Sequence, residues 1–275
     1  MYELYITNKG KTYKPIIEGN PEWETTRAGQ PGKLTFNVVK DNIIDFQEGN
    51  PVIFRVDGQD VFFGFVFTKG RDKDQIIKVT AYDQLRYLKN KDTYVYENKK
   101  ASDVVRMIAN DFNLQTGTID DTGYVIASRI QDNKTLFDII YDALDLTLMN
   151  TGKMYVLYDD FGKLTLRDVE NMKVPDLVVG DYNAQNYSYQ TDIDTDTYNK
   201  VKLYRDNEKT GKREIYIAQD SSNINNWGVL QYFDKVDENA NPKAKAEGIL
   251  KLKNKKKRTL QLKNVLGDIR VRAGT

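Results

Sequence analysis

Apolar and polar residues alternate through most of the first 90 positions, which is the pattern of half-buried β-strands. The segments YELYITNKG and GKLTFNVVK both alternate, and NPVIFRVDGQDVFFGFVF predicts a hairpin that turns at Asp57 and Gly58. Two strand-like runs, 61–68 and 75–81, flank the turn-forming sequence KGRDKD. About five or six strands joined by such tight turns predict a small barrel or sandwich.

Gly64 interrupts the most apolar of these strands. Phenylalanines on both sides of it make this strand apolar on both faces: Phe62, Phe63, Phe65 and Phe67. A glycine inside a strand predicts a bulge or a close approach of another backbone segment, rather than a ligand contact.

The pattern becomes helical after about residue 92. One helical face carries Val104, Val105, Ile108, Ala109 and Phe112, with Ser102 as the predicted N-cap. A second helix carries Leu136, Ile139, Ile140, Ala143 and Leu144, begins after Thr135 as N-cap and ends at NTG, 150–152. KMYVLYDDFGKLTLRDV then predicts a hairpin that turns at DDFGK, so the middle of the chain is predicted to be α+β.

Strands resume after Pro175, with LVVGDYNAQNYSYQTD followed by a hairpin that turns at NEKTGK. A third helix is predicted after Asn241 as N-cap and Pro242 at its first position. The ending LGDIRVRAGT resembles a strand that has just begun, which suggests a chain that continues further. We therefore predict an α+β, mostly β protein with two small β-barrel-like domains, 1–91 and 176–275, flanking an α+β insert, 92–175.

The amino-acid composition limits the catalytic and metal-binding sites that the chain can contain. The 275 residues are 40% hydrophobic, enough for real cores, and include no cysteine and no histidine. Disulfides, thiolate nucleophiles, cysteine zinc sites and the commonest general base are therefore excluded. The sequence has neither an 18-residue apolar run nor a basic-then-apolar start, so we predict no membrane span, no secretory signal and synthesis that ends in a cytoplasm.

Charge is distributed unevenly although the net charge is only +1. Residues 101–200 carry 17 acidic and 8 basic side chains, whereas 201–275 carry 9 acidic and 17 basic ones. This asymmetry indicates either solvated faces or complementary surfaces between subunits or toward a charged partner.

Two motifs resemble ligand-binding loops without matching them. KGKT at 9–12 lacks the first glycine of a phosphate-binding loop, because Tyr5 stands in that position. DIDTDT places Asp192, Asp194 and Asp196 at the spacing of a calcium loop, but Thr197 replaces the required glycine. A turn rich in capping carboxylates is the favoured interpretation.

Each of the other charged clusters has two interpretations, one structural and one functional. The carboxylate pairs Asp120/Asp121 and Asp159/Asp160 suggest a glycosidase, yet both lie in turn-like sequences and adjacent acids point in different directions. KLKNKKKR is either a solvated helix end or a phosphate-contacting patch without base specificity; its cations are Lys251, Lys253, Lys255, Lys256, Lys257 and Arg258. The 18 tyrosines suit protein interfaces but are also ordinary strand residues.

The order of these segments resembles a known family. FFGFVFTKGRDKDQIIKVTAYDQLRYLKNK is similar to the end of the first barrel in tail hub proteins of contractile phages and phage-like bacteriocins. ASDVVRMIANDFNL, TLFDIIYDAL and GKMYVLYDDFGKLTLRDV resemble the helical insert of the late-control and type VI spike hub superfamily. From ELYITN to NVLGDIRV, the whole chain resembles the XkdQ-type hubs of defective Bacillus prophages and their clostridial relatives.

The resemblance implies a structural role without a cofactor or catalysis. Asp83 would cap the turn that redirects the chain from the first barrel into the next domain. Three chains would close a ring of six similar barrels at the tail baseplate, which adapts a sixfold tube to a threefold spike. The implied partners are further copies of the chain and the tube, spike, other baseplate and tape-measure proteins, with DNA only as transient cargo. A wall hydrolase and a carbohydrate- or nucleic-acid-binding β module are the alternatives.

Overall fold

The computed structural model describes residues 1–180, 184–207, 211–236 and 241–275. The chain divides into two compact units. The first unit comprises Met1–Leu144, Lys153–Val174 and Asp268–Thr275, and the second comprises Asp145–Gly152 and Pro175–Gly267. The protein is mostly β, with 47% strand and 21% helix, and contains a curled half-barrel sheet, which confirms the predicted α+β, mostly β class. The bounds of the three domains predicted from the sequence remain a prediction.

A seven-stranded antiparallel sheet occupies the first part of the first unit. Its spatial order is β2-β1-β5-β6-β7-β4-β3. The strands are β1 (Tyr2–Asn8), β2 (Lys11–Tyr13), β3 (Ile17–Glu24), β4 (Lys33–Val39), β5 (Pro51–Val56), β6 (Gln59–Arg71) and β7 (Ile76–Tyr82). The predicted hairpin turn is confirmed: Asp57 and Gly58 both have positive φ, as the favoured two-residue turn requires.

Alternation in these strands produces one apolar core. Leu4, Ile6, Leu34, Phe36, Val38, Val52, Phe54, Phe62, Val66, Val79 and Ala81 are among its buried residues. Each comes from the inward-facing positions of its strand, so a register shift of one residue would turn that set toward solvent.

The rest of the first unit is α+β. It contains β8 (Lys91–Lys100), α1 (Ala101–Asp111), β9 (Thr116–Ile119), β10 (Val125–Thr135), the start of α2 (Leu136–Thr151), β11 (Tyr155–Asp159) and β12 (Leu164–Asp168). β8 and β10 pair as a ribbon, and β9 joins the predicted β11–β12 hairpin in parallel with β12. Two short 3-10 helices cover Gln84–Lys89 and Val169–Met172.

The termini of α1 and α2 can be compared with the caps predicted from the sequence. Thr135 caps α2 as expected, because its Oγ1 accepts from the N–H of Asp138 at 3.1 Å, and Gly152 ends the helix with positive φ. The prediction for α1 is wrong: Lys100 occupies the N-cap, and Ser102 is a buried residue inside the first turn. The hydroxyl of Thr122 instead accepts from the Ser102 N–H at 3.2 Å, so a distant side chain performs the capping.

The second unit has two small sheets and two helices of its own. Its elements are β13 (Ala184–Asp192), β14 (Lys200–Asn207), β15 (Lys212–Gln219), α3 (Ser221–Trp227), β16 (Gln231–Lys235), α4 (Pro242–Lys253) and β17 (Lys257–Val265). One sheet has the order β15-β14-β16, and the other is an antiparallel ribbon of β13 and β17. Val201 and Leu203 of β14 pack with Ala246 and Ile249 of α4 in the small core.

The predicted helix start at Asn241 and Pro242 is confirmed, since Asn241 Oδ1 accepts from the N–H groups of Lys243 and Ala244. In the described part of the chain this helix is the fourth α-helix and not the third. Sequence analysis missed α3, because its residues are mostly polar and show no apolar periodicity. The centre of the predicted NEKTGK turn lies outside the described residues. None of the helices in the described ranges is long and apolar enough to span a bilayer.

The predicted strand at the end of the sequence is wrong, because residues 266–275 form turns. Asp268 Oδ1 accepts from the N–H of Arg270 at 2.8 Å, and the Asp268 carbonyl accepts from the N–H of Val271 at 3.0 Å. These local bonds use the backbone groups that a β-ladder would need. Ile269 packs against the core of the seven-stranded sheet, so Asp268–Thr275 is an integral part of the first unit.

Candidate functional sites

Asp83 lies where β7 ends and the first 3-10 helix begins. Its Oδ1 accepts from the N–H of Leu85 at 3.0 Å, and its Oδ2 accepts from the N–H of Gly32 at 2.8 Å. The Asp83 N–H in turn donates to the Gly32 carbonyl at 3.1 Å. The side chain therefore caps the turn and also binds the segment before β4, which fixes where the chain leaves the sheet.

Two glycines make room for this arrangement. A Cβ at Gly32 would collide with Oδ2 of Asp83, so this position must lack a side chain for the hydrogen bond to form. At Gly64, a Cβ would collide with the carbonyl oxygen of Tyr82 and lie 2.5 Å from Cζ of Phe62. Neither glycine has positive φ, so close packing rather than backbone conformation makes these positions small.

Asp159, at the end of β11, forms a second carboxylate near Asp83. Its Oδ1 accepts from the N–H of Gly162 at 2.7 Å. Its Oδ2 is closed from solvent and has no partner within hydrogen-bond geometry, but the side chain of Gln84 lies near the carboxylate and, like the Gly162 N–H, favours its charged form. Burial raises the pKa of Asp159 to about 6, and the adjacent Asp160 adds to the rise. Burial, followed by the charge of Asp159, raises the pKa of Asp83 well above its usual range.

Arg272 supplies the positive charge beside these acids. Its Nη1 donates to the backbone carbonyl of Asp159 at 3.1 Å and lies 3.6 Å from Oδ1 of Asp160. The guanidinium lies over the ring of Tyr158 at 4.6 Å and over Trp23 at 5.8 Å. Because it reaches a carbonyl rather than the buried Oδ2, the positive charge only partly offsets the burial of the two carboxyl groups.

The chemistry available at this site is structural. Asp83, Asp159 and Arg272 line a cavity of about 20 Å³, which has room for a single water molecule and for no larger substrate. Asp83 accepts backbone N–H groups with both carboxylate oxygens, and Asp159 accepts one with Oδ1, so these groups hold turns in place. Sequence reasoning missed Asp159 as a partner of Asp83, since 75 residues lie between them and DDFGK indicates only a turn.

The other acidic motifs serve turns and ion pairs. Asp120 Oδ2 accepts from the N–H of Asp168 at 2.9 Å, and Asp121 caps Gly123 and pairs with Lys100 at 2.7 Å. Asp192 Oδ1 accepts from the N–H of Thr195 within DIDTDT. Among the residues with described positions, no cluster of three or more acidic side chains could hold a metal ion.

The predicted basic patch spans three elements of the second unit. Lys251 and Lys253 lie in the last turn of α4, Lys255 and Lys256 lie in the loop, and Lys257 and Arg258 begin β17. The patch is therefore only partly a helix end. Its loop lies beside the DIDTDT turn, because the carbonyl of Lys253 accepts from the N–H of Tyr198 at 3.2 Å.

The β13–β17 ribbon is a second surface of the same unit. Tyr189 lies opposite Leu260, and Tyr187 lies opposite Leu262, so all four side chains share one face. Their exposed fractions are 66% for Tyr187, 57% for Tyr189, 59% for Leu260 and 39% for Leu262. The opposite face is polar, with Ser188 facing Gln261. Two strands alone are marginally stable in water, and an uncovered apolar face of this kind indicates a contact with another molecule.

Comparison with known proteins places the fold and the family. The chain is similar to the 43 kDa tail protein of prophage MuSo2 from Shewanella oneidensis, with a TM-score of 0.68 and 14% identity over 92% of this chain and 78% of that one. The fold is thus that of phage tail proteins.

Sequence relatives are closer. The chain is 38% identical to the XkdQ protein of the phage-like element PBSX of Bacillus subtilis, over 96% of this chain and 82% of the relative. It is 35% identical to YqbQ of the same organism, over 88% of this chain and 74% of the relative. The model of the YQBQ-like family matches residues 21–275. The chain belongs to the YQBQ-like family, which confirms the resemblance to XkdQ-type proteins.

Proposed function

We propose that the protein is a structural component of the tail baseplate of a phage or phage-like particle, and that three copies form its hub ring. The phage tail fold and the similarity to a protein of a phage-like element support a tail role. The particle tail is then its location, and its partners are the tube, the spike and the neighbouring baseplate proteins.

The observation that carries the proposal is the exposed apolar face of the β13–β17 ribbon. Both strands are exposed along almost their whole length, and the face of Tyr187, Tyr189, Leu260 and Leu262 has no cover within the described chain. An exposed apolar face promotes aggregation of a free monomer. A subunit contact that buries the same face stabilises the assembly. An obligate ring component needs such a surface, whereas a self-contained enzyme does not.

A ring of three chains also solves a symmetry mismatch. If each chain supplies two similar β modules, three chains present six modules to a sixfold tube and three equivalent faces to a threefold spike. Head-to-tail contacts that close after three copies bury the same pair of surfaces at every junction. Each chain of the proposed ring therefore needs two different contact surfaces, one for each of its two neighbours.

A catalytic role has less support than a structural one. Asp120, Asp121 and Asp159 accept hydrogen bonds from backbone N–H groups in turns, and Asp160 forms an ion pair. The buried pair of Asp83 and Asp159 faces a space for one water molecule only. A hydrolase needs an acid and a base across an open cleft that admits its substrate.

Electron cryo-microscopy of intact tail particles tests the hub directly. Three copies of this chain are expected at the junction between tube and spike, arranged with pseudo-sixfold symmetry on the tube side. Density for the chain at another level of the tail, or a ring of a different copy number, would refute the hub while leaving a tail role intact. The absence of the chain from purified particles would refute both.

Charging the apolar face of the ribbon is expected to stop assembly. The double variant Tyr189→Glu/Leu260→Glu places two carboxylates at a cross-strand pair on that face and should lower the yield of complete particles at least about tenfold, because a buried unpaired charge costs several kcal/mol. The measurement is particle yield from a deletion strain that is complemented with each variant.

The matched control is Ser188→Glu/Gln261→Glu, which adds the same charges to the same two strands on the polar face. Circular dichroism of both purified variants checks that the fold is retained. Normal particle yield from Tyr189→Glu/Leu260→Glu would show that this face is not a subunit contact.

A further inference from the structure

The basic residues of the second unit line a cleft of about 880 Å³. One wall is the segment 252–258, and the other comes from Thr195, Asp196 and Thr197 of the DIDTDT turn together with Asn223 and Trp227 of α3. The sequence shows no aromatic residue among the lysines, but the fold brings Trp227 to them from a separate helix.

Four of the five cations that line this cleft form no ion pair within the described chain, although Asp196 also lines the cleft and Asp192 lies opposite Lys257 in the ribbon. Lys253 pairs with Asp196. Lys255, Lys256, Lys257 and Arg258 are exposed, and within the described chain none of these four forms an ion pair. Four neighbouring positive charges repel one another in the free protein, and a multivalent anion relieves that repulsion while releasing its own counterions.

Hydrogen bonds hold the backbone and the floor of the cleft in place. Thr197 Oγ1 donates to the carbonyl of Lys255 at 3.2 Å, which attaches the basic loop to the opposite wall. Asn254 Nδ2 donates to Asp220 Oδ2 at 2.7 Å, and Asn223 Nδ2 donates to Asn254 Oδ1 at 2.8 Å. Asp220 also caps α3. The cations therefore extend from an ordered rim instead of a free tail.

We propose that this cleft binds single-stranded nucleic acid, with Lys255, Lys256 and one of the two adjacent strand residues Lys257 and Arg258 against phosphates and Trp227 against a base. A groove of cations that includes an aromatic ring is the usual design for single-strand binding without base specificity. The volume is that of a pocket for a ligand of one or a few nucleotides. A row of carboxylates on a protein partner would satisfy the cations equally well but would leave the indole unused.

This inference does not depend on the hub. It concerns a property of the isolated chain, so it can be tested in solution without particles. Failure of nucleic-acid binding would leave the hub proposal unchanged, and failure of the hub would leave the binding measurement unchanged.

The test is fluorescence anisotropy of a labelled oligothymidylate titrated with the full chain over a series of salt concentrations. We expect binding at low salt. The logarithm of the binding constant should fall against the logarithm of the salt concentration with a slope of about −2, since each of three phosphate contacts contributes about −0.7. Neutralising Lys255, Lys256, Lys257 and Arg258 to glutamine should weaken binding at least about tenfold and bring the slope near zero.

Two variants separate the cleft from general basicity. Neutralising Lys9, Lys11, Lys73 and Lys78, four exposed lysines of the first unit, removes the same charge and should leave the affinity within about twofold. Trp227→Ala should weaken binding about fivefold or more through lost stacking. In a Trp23→Phe background Trp227 is the sole tryptophan, and bound oligothymidylate should quench its fluorescence.

Competitors decide which polyanion the cleft accepts. Inorganic polyphosphate should compete through the cations but should not quench Trp227. Three results would overturn the proposal: no binding at low salt, equal loss of affinity in both lysine variants, or a poly-glutamate chain that displaces the oligonucleotide at a lower concentration than polyphosphate does.

Discussion

Replacing Gly64 by alanine is expected to destabilise the first unit by about 2 to 3 kcal/mol, the upper part of the range of about 1 to 3 kcal/mol for an extra methyl group in a filled core. The added Cβ would collide with the carbonyl oxygen of Tyr82 and lie 2.5 Å from Cζ of Phe62. Phe62 is buried and Tyr82 contributes a backbone atom, so neither neighbour can move without disturbing the pairing of β6 with β7. The penalty arises from packing, because the backbone of Gly64 suits any residue.

The distribution of tryptophan makes this measurement specific to one unit. Trp23 belongs to the first unit and Trp227 to the second, and the sequence has no others. In a Trp227→Phe background, urea denaturation followed by Trp23 fluorescence reports the first unit alone.

Gly70→Ala is the matched control for Gly64→Ala. It lies in the same strand with open space at its Cβ position, and its expected effect is within about 0.5 kcal/mol. Equal stability of the two variants would mean that the strands at Gly64 separate easily and that the close approach is not a constraint.

The strands and helices with strong periodicity could be predicted from the sequence. The hairpin at Asp57 and Gly58, helix α2 with Thr135 as its cap, and helix α4 with Asn241 as its cap all depend on interactions within a few residues. Local patterns failed where a distant group satisfies the backbone. Ser102 is not a cap because Thr122 accepts from its N–H, and the last ten residues are not a strand because they pack as turns.

The candidate surfaces could be predicted only in part. Alternation in NYSYQT and TLQLKN indicates two amphipathic strands, but nothing local reveals that Tyr189 faces Leu260 across 70 intervening residues. Likewise, KLKNKKKR is visible as a run of charge, whereas Trp227 joins it only through the fold. Such sites depend on long-range pairing, which a single sequence does not record.

The buried carboxyl groups should give the first unit an unusual dependence on pH. The pKa of Asp159 is about 6 in the folded chain and is near 3.8 without the fold, because burial disfavours its charged form. Between these values the folded state binds more protons than the unfolded state, so stability falls as pH rises through this window and levels off above it. A difference of about 2 between the folded and unfolded pKa of Asp159 corresponds to a loss of about 3 kcal/mol in the free energy of unfolding. The raised pKa of Asp83 acts in the same direction.

Asp159→Asn is expected to remove the loss of stability that accompanies rising pH. The amide oxygen can still accept from the N–H of Gly162, and the amide nitrogen replaces the buried Oδ2 with an uncharged group near the Gln84 side chain. An amide N–H without an assured acceptor costs about 1 kcal/mol, so the variant should be slightly less stable than the parent chain at pH 4 and about 2 kcal/mol more stable at pH 7. Urea denaturation followed by Trp23 fluorescence from pH 4 to 8, in the Trp227→Phe background, measures this difference.

Asp160→Asn is the control for Asp159→Asn, because Asp160 is the adjacent residue and its side chain is 59% exposed. Its loss removes a surface ion pair with Arg272, which is worth at most about 1 kcal/mol. It should reduce the slope of stability against pH only slightly, because the Asp160 charge contributes less than burial to the raised pKa of Asp159. Comparing each variant with the parent at every pH cancels the opposite contributions of surface carboxylates whose pKa values are lowered, such as Asp121 and Asp206. If the difference between Asp159→Asn and the parent did not grow with pH, the Asp159 carboxyl group would have to be hydrated and ionised at neutral pH. The buried pair would then cost the fold nothing.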